Sequence, residues 1–296
     1  MSSIDIALKT FRQLQPEDIQ ILYAIETQAK QYQYIPTEQI PSKAKLPPSK
    51  VQYRLPNLTK NRLLQYQTHP YKGYQLTTAG YDCLALNAHV KANILEAIGK
   101  PLGVGKEADV YDALTPTKQQ VAIKFHRLGR TSFKQTKRKR SYTQQYTYTP
   151  NWHQQSTIAA KKEYKALKLL EPHNIAAPKP IRHNRHTLGM TLINGAPLNL
   201  YPKIPHPQKV LKEILNNIKK AYKKAKIIHA DLSPYNILIQ PDLHILIIDW
   251  PQYVSITHPN AQQLLKRDLK NILKFFKQKE KIEITLKQAF NYVKED

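Results

Sequence analysis

The chain has 296 residues, of which 46 are Lys or Arg and 21 are Asp or Glu, so its formal net charge at pH 7 is +25. This excess favours a polyanionic partner, and nucleic acid fits better than a membrane because no apolar run is long enough to cross a bilayer. A lysine-rich solvated surface is the alternative. One cysteine, Cys83, excludes an intrachain disulfide and a thiolate zinc site, and the N-terminus lacks the apolar core of a signal peptide. We therefore expect a cytoplasmic protein of two domains.

Residues 1–88 predict a helical domain with one short ribbon. The predicted elements are, in order, helices Ile4–Leu14 and Pro16–Ala29, a proline-rich connection Ile35–Pro48, a basic helix from Leu58, a turn at Lys72-Gly73 and an extended Tyr74–Leu76. This order is typical of a winged helix, in which one helix enters a groove of nucleic acid. Three-helix bundles that bind nothing have a similar pattern. Apolar residues at helical spacing then predict a connector helix at residues 89–101.

A glycine-containing turn, Gly103-Val104-Gly105, follows the connector. Glycines let a backbone approach phosphate groups closely, but a lone G-x-G is weak evidence, and Lys106-Glu107 does not complete a Walker sequence. Nineteen residues after Gly105, Lys124 ends a Val-Ala-Ile-Lys run. Strand alternation puts Lys124 on one face with Ala122 and His126, beside the glycine turn, where its ammonium can meet the α and β phosphates of a nucleotide. A solvent-facing strand lysine is the alternative.

The segment Ile227–Trp250 carries polar residues at the ends of two short apolar runs. Asp231 and Asn236 fit the pattern H-x-D-x-x-x-x-N, and Asp249 follows the second run. Transfer of a γ-phosphoryl group needs a carboxylate to orient the nucleophile and hard oxygen ligands for magnesium. Asp231 suits the first task, and Asn236 and Asp249 suit the second. The alternative is that these residues cap a turn and end a strand.

Two further elements complete a nucleotide site. A helix predicted at Ile158–Leu170 carries Glu163, which can form an ion pair with Lys124. A strand predicted at Leu188–Leu198 would supply a hinge between Met190 and Ile193 that contacts adenine.

Residues 130–155 lack a helical period and include the basic block Lys137–Arg140, which predicts a mobile loop. This loop could grip a phosphate backbone, and a solvated insertion is the alternative. After Asp249 the sequence has no A-P-E motif and no room for a long activation segment before a helix around Ala261–Lys277. A platform for docking an extended peptide is therefore expected to be missing.

The strings GVGKEADVY, VAIKFHRLGRTSF, HADLSPYN and IIDWPQ occur in this order behind GYQLTTAGYDCLAL. This combination closely resembles the RIO family of atypical protein kinases, specifically its second subfamily, which carries an N-terminal winged helix. The resemblance implies an α+β protein with a small, two-lobed kinase-like fold. Its divisions are a winged-helix domain at 1–88, a connector helix at 89–101, an N-lobe at 102–190 containing the loop 130–155, and a C-lobe at 191–296.

The resemblance also implies a function. It predicts a serine/threonine kinase or ATPase that uses ATP with Mg²⁺, or Mn²⁺ in its place, in maturation of the small ribosomal subunit. Pre-ribosomal RNA and ribosomal proteins are the expected partners, contacted through the winged helix and the basic loop. Asp231 would be the catalytic aspartate, Asn236 and Asp249 the metal ligands, and Asp249 a transiently phosphorylated group. The implied nucleotide-binding residues are Gly103, Val104, Gly105, Lys106, Glu107, Ala108, Val110, Ala122, Lys124, Glu163, Met190 and Ile193.

The chain departs from the family pattern at three places. The usual H-G-D is His229-Ala230-Asp231, tryptophan follows Asp249, and Thr191 stands at the hinge. None of these changes removes a catalytic group. Two alternatives remain open: a non-catalytic RNA-binding assembly factor that uses ATP only as a conformational ligand, and a small-molecule kinase of the aminoglycoside type. The second would leave the N-terminal domain and the charge unexplained.

Overall fold

The described residues of the computed structural model are 2–128, 152–192 and 194–295. The chain forms two compact units, Met1–Ile98 and Gly99–Asp296. The predicted hinge residue Ile193 and residues 130–151 of the predicted loop, with the basic block Lys137–Arg140, lie outside the described residues. Across the described ranges, no helix is both long and apolar enough to cross a bilayer.

The first unit has the order of elements expected of a winged helix. Its elements are α1 (Ser3–Phe11), α2 (Pro16–Gln28), β1 (Ile35–Pro36), α3 (Ile40–Ala44), α4 (Pro48–Lys60), β2 (Leu64–Gln67), β3 (Gly73–Leu76) and α5 (Thr78–Lys91). The three strands form an antiparallel sheet in the order β1-β3-β2, so β2 and β3 form the ribbon. The buried faces of the helices supply the core of this unit.

Two predictions for the first unit are wrong in position. The helix expected to begin at Leu58 lies earlier in the chain. It runs from Pro48, whose fixed φ suits a first helical turn, to Lys60, and Leu58 belongs to its buried side. The connector helix at 89–101 does not form. Asn93 has a φ of 56°, a left-handed conformation that ends α5, and an extended strand begins at Ala97.

The second unit opens with an antiparallel five-stranded sheet and one long helix. Its elements are β4 (Ala97–Val104), β5 (Ala108–Leu114), β6 (Gln120–His126), α6 (Trp152–Leu170), β7 (Pro180–Asn184) and β8 (Thr187–Thr191), with the strand order β4-β5-β6-β8-β7. Helix α6 begins six residues before the predicted start at Ile158, so residues 152–155 are helical and not part of a loop. The rings of Trp152 and His153 lie 5.7 and 5.2 Å from the ring of His186, which extends the packed surface of the helix.

The remainder of the second unit is mainly helical. Its elements are β9 (Ala196–Pro197), α7 (Pro207–Lys223), β10 (Ile227–Ile228), β11 (Ile237–Ile239), β12 (Ile245–Ile247), β13 (Val254–Ser255), α8 (Ala261–Glu280) and α9 (Leu286–Lys294). The predicted strand Leu188–Leu198 is divided between β8 and β9, because β9 pairs with β11 in a different sheet. Strands β11 and β12 form a hairpin in which Ile237 faces Ile247. This register places Asn236 and Asp249 at the same end of the hairpin.

Candidate active site

A cavity of about 660 Å³ collects most of the predicted site residues. Those that line it are Gly103, Val104, Gly105, Lys106, Glu107, Ala108, Val110, Lys124, Asp231, Asn236 and Asp249. Residues far apart in the sequence therefore meet at one cavity, as the phosphoryl-transfer pattern requires. Glu163, Ala122 and Met190 do not line it, and Ile193 lies outside the described residues.

The ammonium group of Lys124 lies between two carboxylates. Its Nζ donates to Oε1 of Glu163 and to Oδ1 of Asp249, each at 2.8 Å. On the far side of Glu163, Nε2 of His126 lies 2.9 Å from Oε2. Lys124 and Glu163 are buried, whereas the Asp249 side chain is 43% exposed toward the cavity. Glu163 thus acts behind the cavity wall, through Lys124.

Charge pairing outweighs burial in this cluster. Burial by itself would lower the pKa of Lys124, but the charges of Asp249 and Glu163 raise it above its ordinary value. Burial would likewise raise the pKa of Glu163, but Lys124 and His126 hold it well below its ordinary value. Both partners are therefore charged at neutral pH.

The segment after β12 is fixed by Trp250. Asp249 has a φ of 68°, a left-handed conformation, and the backbone N–H of Trp250 donates to Oε1 of Glu163 at 3.3 Å. The Trp250 side chain is buried and donates through Nε1 to the carbonyl of Ile247 at 2.9 Å. Its ring lies 4.6 Å from that of His229. The tryptophan that departs from the family pattern therefore anchors the metal-binding aspartate of the prediction.

The loop between His229 and Asn236 presents its polar groups to the cavity. Asn236 donates through Nδ2 to the carbonyl of Asp231 at 2.9 Å, so its amide oxygen is the atom left for another ligand. The backbone N–H of Ile248 donates to the carbonyl of Asn236 at 2.9 Å, which ties the loop to the segment that carries Asp249. Asp231 is exposed.

Helix α8 also holds this loop, through hydrogen bonds to its backbone. Asp268 accepts hydrogen bonds from the backbone N–H groups of Ala230, at 2.7 Å, and Leu232, at 3.1 Å. Arg267 donates to the carbonyl of Ala230, and Asn271 donates to the carbonyl of Leu232 at 3.0 Å. We call Arg267, Asp268 and Asn271 the α8 clamp. It binds the backbone N–H and the carbonyl of both residues that flank Asp231.

The clamp holds a strained residue. Ala230 has a φ of 64°, in the left-handed region that favours glycine, and it occupies the position where the family pattern has glycine. Burial raises the pKa of Asp268 to about 7, against the two backbone N–H donors and Arg267, which lower it. The sequence prediction missed the clamp. Its one signal was an aspartate inside the apolar repeat of α8, where an unpaired carboxylate is rarely found.

Steric crowding explains why glycine is needed at one of the two glycine positions in the turn. A Cβ on Gly105 would lie 3.2 Å from the carbonyl of Ala108, whereas none of the described atoms lies within 4 Å of that position on Gly103. Beneath the turn, Nε of Arg127 lies 3.3 Å from Oδ2 of Asp109, and both side chains are buried. The backbone N–H of Arg127 donates to the carbonyl of Glu107 at 2.6 Å. This buried pair, which the prediction also missed, fixes the base of the turn.

Two predicted nucleotide contacts belong to the core instead of the cavity wall. Ala122 and Met190 are partners across strands β6 and β8, and both are buried. Their side chains lie among the apolar residues that join the sheet to the helices. If Met190 contacts a nucleotide, we therefore expect the contact to be made by its backbone and not by its side chain.

Comparison with known proteins identifies both units. A model of the RIO domain matches residues 109–289, and a model described as Rio2, N-terminal, matches residues 11–92. The RIO-type serine/threonine-protein kinase Rio2 of Methanocaldococcus jannaschii is 37% identical over 273 residues, covering 89% of this chain and 99% of the relative. The serine/threonine-protein kinase rio2 of Schizosaccharomyces pombe is 35% identical over 274 residues, covering 92% and 79%.

A solved structure agrees with these sequence matches. The crystal structure of the Rio2 kinase-ADP/Mg²⁺-phosphoaspartate complex from Chaetomium thermophilum superimposes with a TM-score of 0.83 at 32% identity. The match covers 97% of this chain and 89% of the other. The predicted α+β, kinase-like fold behind an N-terminal winged-helix domain is thereby confirmed. The chain belongs to the RIO family of atypical serine/threonine protein kinases and carries the N-terminal domain typical of Rio2.

Proposed function

We propose that this chain binds ATP with Mg²⁺ in the 660 Å³ cavity and transfers the γ-phosphoryl group, as an atypical serine/threonine kinase and ATPase. The observation that carries the proposal is the position of Lys124, whose Nζ lies 2.8 Å from both Glu163 and Asp249 at the cavity wall. A buried ammonium held by two carboxylates is suited to phosphate oxygens. The proposal includes an N-lobe at 102–190 and a C-lobe at 191–296.

The nucleotide would lie between the glycine turn and Lys124. Glu163 fixes the direction of the Lys124 side chain, and His126 in turn contacts Glu163. The ammonium is therefore pre-organised to meet the phosphates. The turn residues from Gly103 to Ala108, with Val110, line the same cavity and are assigned to the phosphates and ribose. Contacts of Met190, Ala122 and Ile193 with adenine remain part of the proposal.

Asn236 and Asp249 would hold the metal ion. One amide oxygen and one carboxylate face the cavity, and magnesium is commonly bound by one or two protein oxygens together with substrate phosphates. Across the described residues there is no cluster of three or more His, Cys, Asp or Glu that could hold a metal. The ion would neutralise phosphate charge, and Mn²⁺ could replace it.

Asp231 would orient the attacking group. The α8 clamp holds the backbone N–H and carbonyl of Ala230 and of Leu232 on either side of it, so the carboxylate is exposed but its position along the loop is fixed. A carboxylate at this position accepts the proton of a substrate hydroxyl. For a protein substrate that hydroxyl is Ser or Thr, and in the ATPase reaction it belongs to water.

We also propose that Asp249 accepts a phosphoryl group transiently. A carboxylate oxygen attacks the γ-phosphorus, the bond to the bridging oxygen of ADP breaks, and an acyl phosphate forms. Water then hydrolyses the acyl phosphate, restoring Asp249 and releasing phosphate. The support is the partial exposure of this side chain toward the cavity and the likeness to a Rio2 structure that contains phosphoaspartate.

The biological setting we propose is cytoplasmic maturation of the small ribosomal subunit, with pre-ribosomal RNA and ribosomal proteins as partners. The net charge of +25 and the winged-helix domain support a nucleic-acid partner. The Rio2 resemblance supports the ribosomal role.

One experiment separates the chemical outcomes. Wild-type protein is incubated with γ-labelled ATP and Mg²⁺, and label is measured as base-labile acyl phosphate, as phosphate on added Ser/Thr substrate, and as free phosphate. Asp249→Asn should remove the acyl phosphate and Asp231→Asn should lower total turnover. Asp242→Asn, an exposed aspartate in the β11–β12 turn, is the matched control and should leave turnover unchanged.

Failure would also be informative. If the wild type shows no turnover, or if Asp231→Asn turns over ATP as fast as wild type, the catalytic proposal is wrong. The alternative of a non-catalytic assembly factor would then gain support, provided that ATP still binds. Label on serine with no acyl phosphate would contradict only the role of Asp249 as acceptor.

A further inference from the structure

The exposed side of α8 carries an unneutralised row of lysines. Lys266, Lys270 and Lys274 are spaced four residues apart and are all exposed. Like charges at this spacing destabilise a helix, and surface helices commonly offset them with acids at the same spacing. Here the neighbouring exposed positions are the amides Gln262, Gln263 and Asn271 and the cation Arg267, and none is acidic.

No ion pair neutralises this row within the described part of the chain. The nearest exception on the same helix is Lys277, which pairs with Glu283 at 2.8 Å. Of the two acids in α8, Asp268 is buried in the clamp and Glu280 accepts from the backbone N–H of Ile204. The row Lys266, Lys270 and Lys274 is therefore not balanced by ion pairs.

Adjacent helices extend the same charge. Helix α7 contains five lysines and one glutamate, and α9 contains two lysines and no acid. Lysines of all three helices lie next to aromatic rings of α9. The ammonium groups of Lys266 on α8 and Lys294 on α9 lie 5.1 and 5.3 Å from the Phe290 ring, and that of Lys219 on α7 lies 5.0 Å from the Tyr292 ring. We call Lys219, Lys266, Lys270, Lys274 and Lys294 the C-lobe basic surface.

The basic helix of the first unit is different. On α4, Arg54 lies 3.2 Å from Glu17 and 3.0 Å from Asp18, and Lys50 lies 3.6 Å from Glu17. These acids of α2 neutralise part of the charge that α4 would present to a phosphate backbone. The winged helix therefore offers fewer unpaired cations on this helix than its sequence suggests.

We propose that the C-lobe basic surface binds the phosphate backbone of RNA. Lysines act as point charges, which suits sequence-independent phosphate contacts better than base reading. Successive lysines in the row rise by about 6 Å along the helix, so several phosphates of one strand can be met together. A lipid surface fits less well because the apolar side of α8 is buried and lysine ammonium groups lie within 5.3 Å of the Phe290 and Tyr292 rings.

The surface deepens the proposed RNA partnership and does not depend on phosphoryl transfer. The test is full-length Lys270→Gln/Lys274→Gln, titrated with a short labelled RNA duplex at several salt concentrations. Its matched control is Lys161→Gln/Lys165→Gln, which removes two exposed lysines four residues apart on α6. A third variant, Lys60→Gln/Lys72→Gln, removes two exposed lysines of the winged-helix domain.

The α8 variant should bind RNA about threefold to tenfold more weakly, and the slope of log affinity against log salt should fall by about one per lysine. The α6 control should keep the wild-type slope. Equal losses in both would mean that only total charge matters and would overturn the proposal. So would an unchanged α8 variant, or one that loses binding to phosphatidylserine vesicles while its RNA affinity is retained.

The outcomes also separate this surface from the proposed function. If wild type binds RNA and only the winged-helix variant weakens it, the RNA partnership stands and the C-lobe surface is wrong. If wild type binds no RNA, the surface and the nucleic-acid part of the proposed function both fail. ATP turnover is measured in every variant and should stay at the wild-type rate.

Discussion

Glu163 and Asp268 are two buried carboxylates that do not line the cavity but hold residues that do. Their side chains are similarly inaccessible, with exposures of 2% and 1%. Glu163 faces a lysine ammonium and a histidine, whereas Asp268 faces two backbone N–H groups with Arg267 nearby. The pKa of Glu163 lies well below its ordinary value, but burial raises that of Asp268 to about 7.

The difference shows that burial does not decide whether a carboxylate is ionised. A full positive charge at hydrogen-bond distance outweighs desolvation, while peptide dipoles offset it only in part. Glu163 is therefore a permanent charge that directs Lys124, and Asp268 is a hydrogen-bonding group near its titration point that holds the backbone. Changing one partner of either carboxylate at a time should therefore separate the two roles.

Removing the cation should have the largest effect. Lys124→Met leaves Glu163 buried opposite an apolar group and removes the proposed phosphate contact. We expect ATP turnover to fall by about 10³-fold or more, since charge-stabilising groups contribute at this scale, and the free energy of unfolding to fall by about 3–5 kcal/mol. Labelled-ATP turnover and urea unfolding measure the two effects. Lys161→Met, on an exposed part of α6, should change neither, and a fully active Lys124→Met would contradict the ion-pair model.

Breaking the clamp should have a smaller effect on turnover. Asp268→Asn keeps the shape but places an amide N–H₂ against a backbone N–H, so one hydrogen bond to Ala230 or Leu232 is lost. We expect turnover about tenfold lower, with KM for ATP nearly unchanged, since one lost hydrogen bond is of this size. A rise in KM at unchanged kcat would indicate a nucleotide-binding role instead. Asn271→Ala should give a change in the same direction and of smaller size.

The two carboxylates should give opposite pH dependence of stability. The unfolded chain releases the Asp268 proton near 3.8, whereas the folded protein holds it to about 7, so the free energy of unfolding falls as pH rises between these values. For Glu163 the folded pKa is below the ordinary 4.5, so its contribution is lost as pH falls below about 4.5. Between pH 4 and 7 the free energy of unfolding of wild type should fall by up to about 4 kcal/mol more than that of Asp268→Asn, as measured by urea unfolding at each pH. Parallel profiles would contradict the raised pKa.

Relieving the strain at Ala230 should have the smallest effect. Ala230→Gly allows the φ of 64° without a Cβ clash, and we expect a gain of about 0.5–1 kcal/mol in unfolding free energy. In combination with Asp268→Asn it should restore part of the lost turnover, since the loop then needs less support. Lys281→Gly, at a left-handed position on the end of α8, should raise stability similarly without rescuing turnover. Loss of stability in Ala230→Gly would show that the residue is not strained.

The family, the fold and the polar residues of the cavity could be predicted from sequence because they depend on local strings. Asp231, Asn236 and Asp249 stand at fixed spacings around a hairpin, and Lys124 ends a recognisable Val-Ala-Ile-Lys string. The connector helix and the helix from Leu58 were wrong because apolar spacing does not reveal a left-handed Asn93 or which turn of a helix is buried. The start of α6 was missed because Trp152 and His153 gain their partner from His186, a residue distant in sequence.

By itself, the sequence determined which chemical groups are available: oxygen ligands, one strand lysine, a glycine turn and an excess of positive charge. Only the tertiary structure decided which charges neutralise one another. It paired Lys124 with Glu163 and Asp249, buried Asp268 against the backbone on either side of Asp231, neutralised part of α4 with acids of α2, and left the lysines of α8 exposed. Electrostatic energy depends on the distance between charges and on their burial, and the spacing of residues along the chain determines neither.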